Sequence, residues 1–304
     1  MDITWLPDVR PRPRHLAVGE FDGVHLGHRE VIRGADTVVT FEPHPRTVVA
    51  PDSAPKLLTS LEIKAALIAE LGVRELVVVP FDGERAAQSA EAFVERELVD
   101  RLGARQVSVG ENFRFGHRAR GDAALLRTYD AFSTRVARLV ELDGEIISST
   151  HIRGLVAAGD VAAAARFLGA PFQMRGTVVH GDKRGRTLGY PTANLVPDPR
   201  LVVPDHGVYA CRAEVAGEVH VAAVNVGVRP MFKTGRGLLV EAFLLDFAAD
   251  IYGATLRLEF LDRLRGERRF DTVQALVEQM GRDVSETRLI ASFAPRGLRR
   301  APGG

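Results

Sequence analysis

Two histidines three residues apart occupy a glycine-rich corner of the sequence, "HLAVGEFDGVHLGHREVI" from His15 to Ile32: His25 and His28, with Gly27 between them and Gly23 just before. An apolar run ending in such a corner reads as a strand, a turn over Gly23 to Gly27, and a helix that begins about His25 and runs toward Arg33. Residues i and i+3 share a helix face, so both imidazoles point the same way. A helix start offers free N–H groups and partial positive charge, and Gly27 leaves room for close approach. Such a pair could hydrogen-bond phosphate oxygens and stabilise charge building on a phosphorus under attack. Two solvated turn histidines and a metal pair fit the same spacing, although no third metal ligand is evident nearby.

A second dense stretch is "GTVVHGDKRGRTLGYPTANL", Gly176 to Leu195. Gly181, Gly185 and Gly189 punctuate a segment carrying Lys183, Arg184 and Arg186. Glycines let backbone N–H groups converge on an anion and the cations neutralise it; an ordinary basic hairpin loop fits equally. There is no GxxxxGK[ST], which excludes a P-loop match. Further on, "LLVEAFLLD" alternates, so Leu239, Glu241 and Phe243 share one face of a strand. A carboxylate among apolar neighbours at a barrel mouth can take the proton of an attacking hydroxyl. A solvated surface glutamate also fits that pattern.

The elements that must position these residues follow two rhythms. From His15 to about Gly169, "HLAVGEF", "TVVTFEP", "ELVVVPF", "RQVSVG" and "STRVARLV" read as strands. Between them "SLEIKAALIAELG" and "SAEAFVERELVDRLG" each open on a capping Ser and close on Gly, as helices do. Alternating strand and helix predict a parallel sheet with its ligand site beyond the strands' carboxyl ends, where "GEFDGVHLGH" lies. After "FLGAPF" come "QMRGTVVHG", "GVYACRAEV", "EVHVAAVNVG", "LLVEAFLLDF" and "ATLRLEFLDRLR", a series of strands that predicts a small closed barrel. "FDTVQALVEQMGRDVSETRLIASF" then predicts one or two covering helices, with a break at Gly281. The expected domains are 1–169 and 170–304.

The 304 residues fit two domains. Forty Lys and Arg against 39 Asp and Glu leave no global field to attract nucleic acid or anionic lipid. The single Cys211 permits no internal disulfide and reads as a buried small hydrophobe. The start, "MDITWLPDVRPRPRH", lacks the apolar core of a signal peptide, and no apolar run nears the ~20 residues of a membrane span. These features predict a cytosolic protein.

"FDGVHLGH" resembles the HxGH signature of nucleotidyltransferases. With "TFEPHP", "VGENFRFGHRARGD" and "ISSTHIR" it resembles the adenylyltransferase half of bacterial bifunctional FAD synthetases. "PTAN", "PDHGVYA", "NVGVRPMF" and "VEAFLLDF…DIYG" resemble the riboflavin kinase half. The resemblance implies a Rossmann-like nucleotidyltransferase domain followed by an antiparallel β-barrel with a C-terminal helix. It further implies phosphorylation of riboflavin to FMN and adenylylation of FMN to FAD, with ATP as co-substrate and Mg²⁺ as cofactor.

By that resemblance His25, His28, Gly23 and Gly27 contact ATP phosphates, Asn112 holds the nucleotide site, and Ser149, Thr150 and Arg153 bind phosphate oxygens. In the second half Gly181, Lys183 and Gly185 form a flap over the nucleotide, Thr192 and Asn194 hold Mg²⁺ and the phosphates, and Glu241 is the general base. Departures concentrate in the first half. Ile146 stands where relatives often have Arg, Glu20 where a small or amide residue is usual, and His151 where Arg is frequent. "GHREVIRGADTVVTF" is short, leaving about two helical turns. Met231 replaces a Thr of the kinase half. These departures keep a second expectation open: a riboflavin kinase whose first domain is a weak adenylyltransferase serving as a nucleotide- or flavin-binding module. A non-enzymatic flavin or nucleic-acid sensor and a class I aminoacyl-tRNA synthetase fit less well, lacking a basic aromatic stripe and a lysine-rich second signature.

Overall fold

The computed structural model describes residues 1–181, 189–231 and 235–294, with side chains described except at 228–231 and 235–238. Contacts divide the described chain into two compact units: Met1–Pro55 with Ser60–Ser149, and Lys56–Thr59 with the described residues from Thr150 to Ala294.

The first unit holds one parallel sheet of β1 (Asp2–Trp5), β2 (Arg14–Val18), β3 (Thr37–Glu42), β4 (Glu75–Pro80), β5 (Ala104–Gly110) and β6 (Ser133–Ala137), in the order β1-β4-β3-β2-β5-β6. Val38, Val39 and Leu76 to Val79 are completely buried, as strands covered on both faces must be, which explains their unbroken apolar runs. The helices α1 (Leu26–Ile32), α2 (Leu61–Glu70) and α3 (Ala90–Phe93, continued with π-type bonding over Val94–Arg101) lie between them. Ser60 and Ser89 cap α2 and α3 as expected, accepting from the backbone of Ile63 and Ala92 at 3.3 and 3.1 Å.

The chain leaves β2 for β3 and β4 on one side and reaches β5 and β6 on the other. The carboxyl end of β2 is therefore the sheet's switch point, where a crevice opens. β1 lies outside the expected strands: "DITW" is short and mostly exposed, and its ladder comes from pairing with β4. β6 ends at Ala137, earlier than expected. The chain then makes a hairpin, β7 (Glu141–Leu142) and β8 (Glu145–Ile146). Asp143 and Gly144 turn it at φ 54° and 81°, the positive pair of a type I′ turn.

Helices α4 (Ser149–Ala157) and α5 (Val161–Leu168) lead to the barrel. Its strands are β9 (Phe172–Val179), β10 (Ala193–Leu195), β11 (Gly207–Val215), β12 (Glu218–Met231), β13 (Gly235–Leu244) and β14 (Thr255–Arg265), closed in the order β10-β13-β12-β11-β14-β9. β10, absent from the expected strands, is the short closing piece that pairs with both β9 and β13. Helix α6 (Val273–Phe293) starts at the Thr272 cap and passes Gly281 without a break. Two residues on, buried Asp283 is bound to Arg265 at 2.8 Å, so the barrel holds the helix where the sequence predicts an interruption.

Candidate active sites

A cavity of about 920 Å³ opens at the carboxyl end of β2, within the first unit. His25, His28, Gly27, Glu20, Asn112 and Ser149 all lie on its wall. His25 is the N-cap of α1: its Nδ1 accepts the His28 backbone N–H at 3.2 Å. The two rings stack with centroids 3.5 Å apart and planes 15° from parallel, and Phe21 meets His28 edge-on at 5.4 Å. A Cβ on Gly27 would come within 3.3 Å of the His25 ring, a tighter approach than side chains usually make, so glycine keeps this side of the stack open. One expectation changes here. The His28 N–H, read as free for an anion, is already spent on the cap.

Burial pushes His25 down to about 3, and burial together with its stacked neighbour holds His28 well below the ordinary histidine range. Both are neutral imidazoles at physiological pH. With Nδ1 of His25 accepting, its proton sits on Nε2, which is left to donate. The preceding loop is bent tightly: Gly23 has φ 89°, and Phe21 and Val24 take φ 51° and 43°. Such conformations survive in non-glycine residues only where the surroundings enforce them. Both side chains are buried, and the buried Arg29 donates from Nε to the Val24 carbonyl at 3.1 Å. The short α1, seven residues long, carries His25 as its cap and His28 in its first turn.

Ser149 donates its hydroxyl to the Asp22 carbonyl at 3.0 Å. Thr150 is exposed and Arg153 partly buried; neither is on the cavity wall, and both belong to the second unit. His151 packs its ring on Phe167, with centroids 4.8 Å apart. Ile146 is exposed on the β7–β8 hairpin and does not line the wall, although its neighbour Ile147 does. Arg46, Arg85, Arg114, Arg118 and Arg138 line the wall, and Arg120 does not. Arg85 is held by Glu97, whereas Arg138 has no ion pair among the described residues. Sequence reading missed Arg138, which directly follows the end of β6.

It also missed the aromatic part of the lining. Phe41, Phe81, Phe93, Phe113 and Phe115 form a chain of ring contacts, with centroids 5.4 to 6.2 Å apart. All five line the wall. One cavity wall thus carries polar groups suited to phosphates and aromatic rings suited to a flat heterocycle.

In the barrel, Glu241 on β13 stands directly opposite Asn194 on β10 and Asn225 on β12. Directly opposed residues project to the same face, so these three form one row across adjacent strands. The row is on the outside of the barrel: the alternate residues Val240, Ala242 and Leu244 fill the interior, and Leu239, Glu241 and Phe243 are only partly buried. Glu241 therefore faces away from the packed core. Asn194 is nevertheless buried, because Gly181 covers it; a Cβ there would lie 2.2 Å from Asn194 Nδ2. Asn194 Nδ2 donates to the Thr192 carbonyl at 3.4 Å, while its buried Oδ1 has no partner among the described residues. Tyr190 meets Phe243 edge-on at 5.2 Å beside this row. Lys183 and Gly185 lie outside the described residues, as does the side chain of Met231.

A family model described as FAD synthetase matches residues 9–151, and one described as riboflavin kinase matches 168–291. The bifunctional riboflavin kinase/FMN adenylyltransferase of Bacillus subtilis (strain 168) is 39% identical, over 89% of this chain and 90% of its own. The protein of the same name from Escherichia coli (strain K12) is 39% identical over 88% and 90%. A solved structure from Streptococcus pneumoniae, named a macrolide-efflux protein, superposes with a TM-score of 0.85 at 32% identity, covering 95% of this chain and 99% of that one. Among the described residues no helix is long and apolar enough to cross a membrane. A histidine-lined cavity at the switch point of a parallel sheet precedes a closed barrel with its own polar row, and both halves match in that order. This chain therefore belongs to the family of bifunctional riboflavin kinases/FMN adenylyltransferases.

Proposed function

We propose that the two sites act in sequence on a flavin: the barrel makes FMN from riboflavin and ATP, and the first cavity makes FAD from FMN and a second ATP. The working boundary between the activities is near residue 169. In the cavity a phosphate oxygen of FMN attacks the α-phosphorus of ATP, and the bond to pyrophosphate breaks. No covalent bond to the protein forms, so positioning and charge stabilisation are its contribution. Neutral His25 and His28 donate to phosphate oxygens, and the row of phenylalanines takes the isoalloxazine. Asn112 holds the nucleotide from the loop after β5 and Ser149 from the first position of α4, and Thr150 and Arg153 of α4 are assigned to it by family likeness.

On the barrel, Glu241 accepts the proton of the ribityl hydroxyl as that oxygen attacks the γ-phosphorus and ADP leaves. Its partly buried position opposite two asparagines supports this role over that of a solvated surface residue. Thr192 and Asn194 would hold Mg²⁺; the buried, unpartnered Oδ1 of Asn194 suits a hard cation that takes oxygen ligands. When bound, the ion would neutralise charge on the transferring phosphates. Gly181, with Lys183 and Gly185, would cover them. The lone Cys211 is buried, with its thiol pushed up by burial, which fits a cytoplasmic location.

The observation carrying this reading is the stacked, neutral histidine pair in a cavity whose wall also carries five phenylalanines. Chromatography of products from riboflavin, ATP and Mg²⁺ tests it. Wild type yields FMN and then FAD. Glu241→Gln yields neither from riboflavin but still converts supplied FMN to FAD. His28→Ala accumulates FMN, with adenylylation reduced at least about 100-fold. Equal loss of both steps in either variant would refute the division of labour.

A further inference from the structure

We propose that Glu20 acts in the first cavity as an uncharged hydrogen-bond donor to an oxygen of the nucleotide's phosphate chain, so that FAD formation, and not FMN formation, has an alkaline limit set by this one carboxyl. The inference rests on assigning AMP transfer to that cavity.

Glu20 leaves the sheet two residues after β2 ends and lies on the same wall as His25, His28 and Ser149. Its Oε2 is sealed from solvent and has no hydrogen-bond partner among the described residues. A carboxylate in that position would need donors. The Lys64 ammonium, buried on α2, donates instead to Thr40 Oγ1 at 3.1 Å, and that hydroxyl donates to the backbone carbonyl of Glu20 at 3.0 Å. The other titratable groups facing Glu20 are Asp22 on its own loop and Glu42 at the end of β3. Burial pushes Glu20 up to about 8; Lys64 alone opposes it, and the two carboxylates add to it. The neutral His28 on α1 adds no positive charge.

Phosphate oxygens can only accept, and so can an ionised carboxylate; the two would repel in the space a nucleotide must fill. The protonated acid instead has an O–H to give. A polyanion arriving beside it favours the proton further, so the limit belongs to the free enzyme and appears in kcat/KM before it appears in kcat. The sign follows directly: below about pH 8 the acid is intact and donates, and above it the donor is lost and a repelling charge takes its place.

The full-length protein is assayed for pyrophosphate release from FMN and ATP between about pH 6.5 and 9.5, with riboflavin phosphorylation followed on the same samples. Wild-type kcat/KM for ATP in adenylylation is expected to fall about tenfold per pH unit on the alkaline side, without a matching fall in the kinase step. Glu20→Gln, an amide that donates at every pH, lowers the neutral rate about three- to tenfold and removes the alkaline fall. Glu20→Ala loses more than about tenfold at neutral pH and is likewise flat. Circular dichroism verifies folding, and either variant alone suffices. An alkaline fall that persists in the variants, or a wild-type profile flat to the highest pH, overturns the proposal. Absence of pyrophosphate from wild type at every pH would instead overturn the assignment of the cavity.

Discussion

Glu20, His25 and His28 lie in one loop-and-helix corner, and all three are kept uncharged there by burial. The sequence suggests a negative glutamate beside two chargeable imidazoles. Burial pushes the acid up to about 8 and both imidazoles down, an arrangement that favours hydrogen-bond donation without a fixed charge. A linkage consequence follows for His25, whose folded value of about 3 lies below its ordinary 6.5. As pH falls below 6.5 the unfolded chain takes up a proton that the folded chain refuses, so stability present at neutral pH is lost on the way down toward 3. The loss is up to about 1.4 kcal/mol per pH unit for one such group. Urea unfolding at pH 7, 6 and 5 should show the decline. His25→Asn, which keeps an acceptor for the His28 N–H, should reduce the slope by about one proton. An unchanged slope would mean that the imidazole is solvated.

At the scale of elements, the capping serines of α2 and α3 and the apolar strands were legible because each signal is local. β1 and β10 were not, since a strand of three or four residues has too few side chains to show a period and exists only through its partners. β10 bears on the proposed kinase site, because its pairing with β13 sets Asn194 opposite Glu241. Gly181, just past β9, is packed on Asn194 so closely that no side chain fits. Gly181→Ala should therefore push Asn194 out of line. We expect riboflavin phosphorylation to fall more than about tenfold while conversion of supplied FMN to FAD is unaffected. Unaltered kinase kinetics would show that Asn194 has no part in that site.

The whole chain carries two cores, one around a parallel sheet and one inside a barrel, so its unfolding should depart from two-state behaviour. Glu75 tests this. It binds Arg14, which is 2% exposed, at 2.8 Å beneath the first sheet, joining β4 to β2. Glu75→Gln leaves that guanidinium buried with its charge partner removed, which costs about 3–5 kcal/mol. Calorimetry should show one transition lowered and the other unmoved, with riboflavin phosphorylation retained at 25 °C. A single transition that shifts as a unit would contradict two independent cores.

The sequence by itself determined the two halves, most elements, the histidine corner and the residue positions that carry the family likeness, because periodicity, caps and motifs are written over short spans. The tertiary structure alone decided that five phenylalanines from distant segments share one cavity, that Arg138 lines it and Ile146 does not, and that Glu241 faces outward between two asparagines. It also decided which groups are neutral. Proton affinity depends on how much water and which charges surround a side chain, and those neighbours are brought by strands and helices far away along the chain.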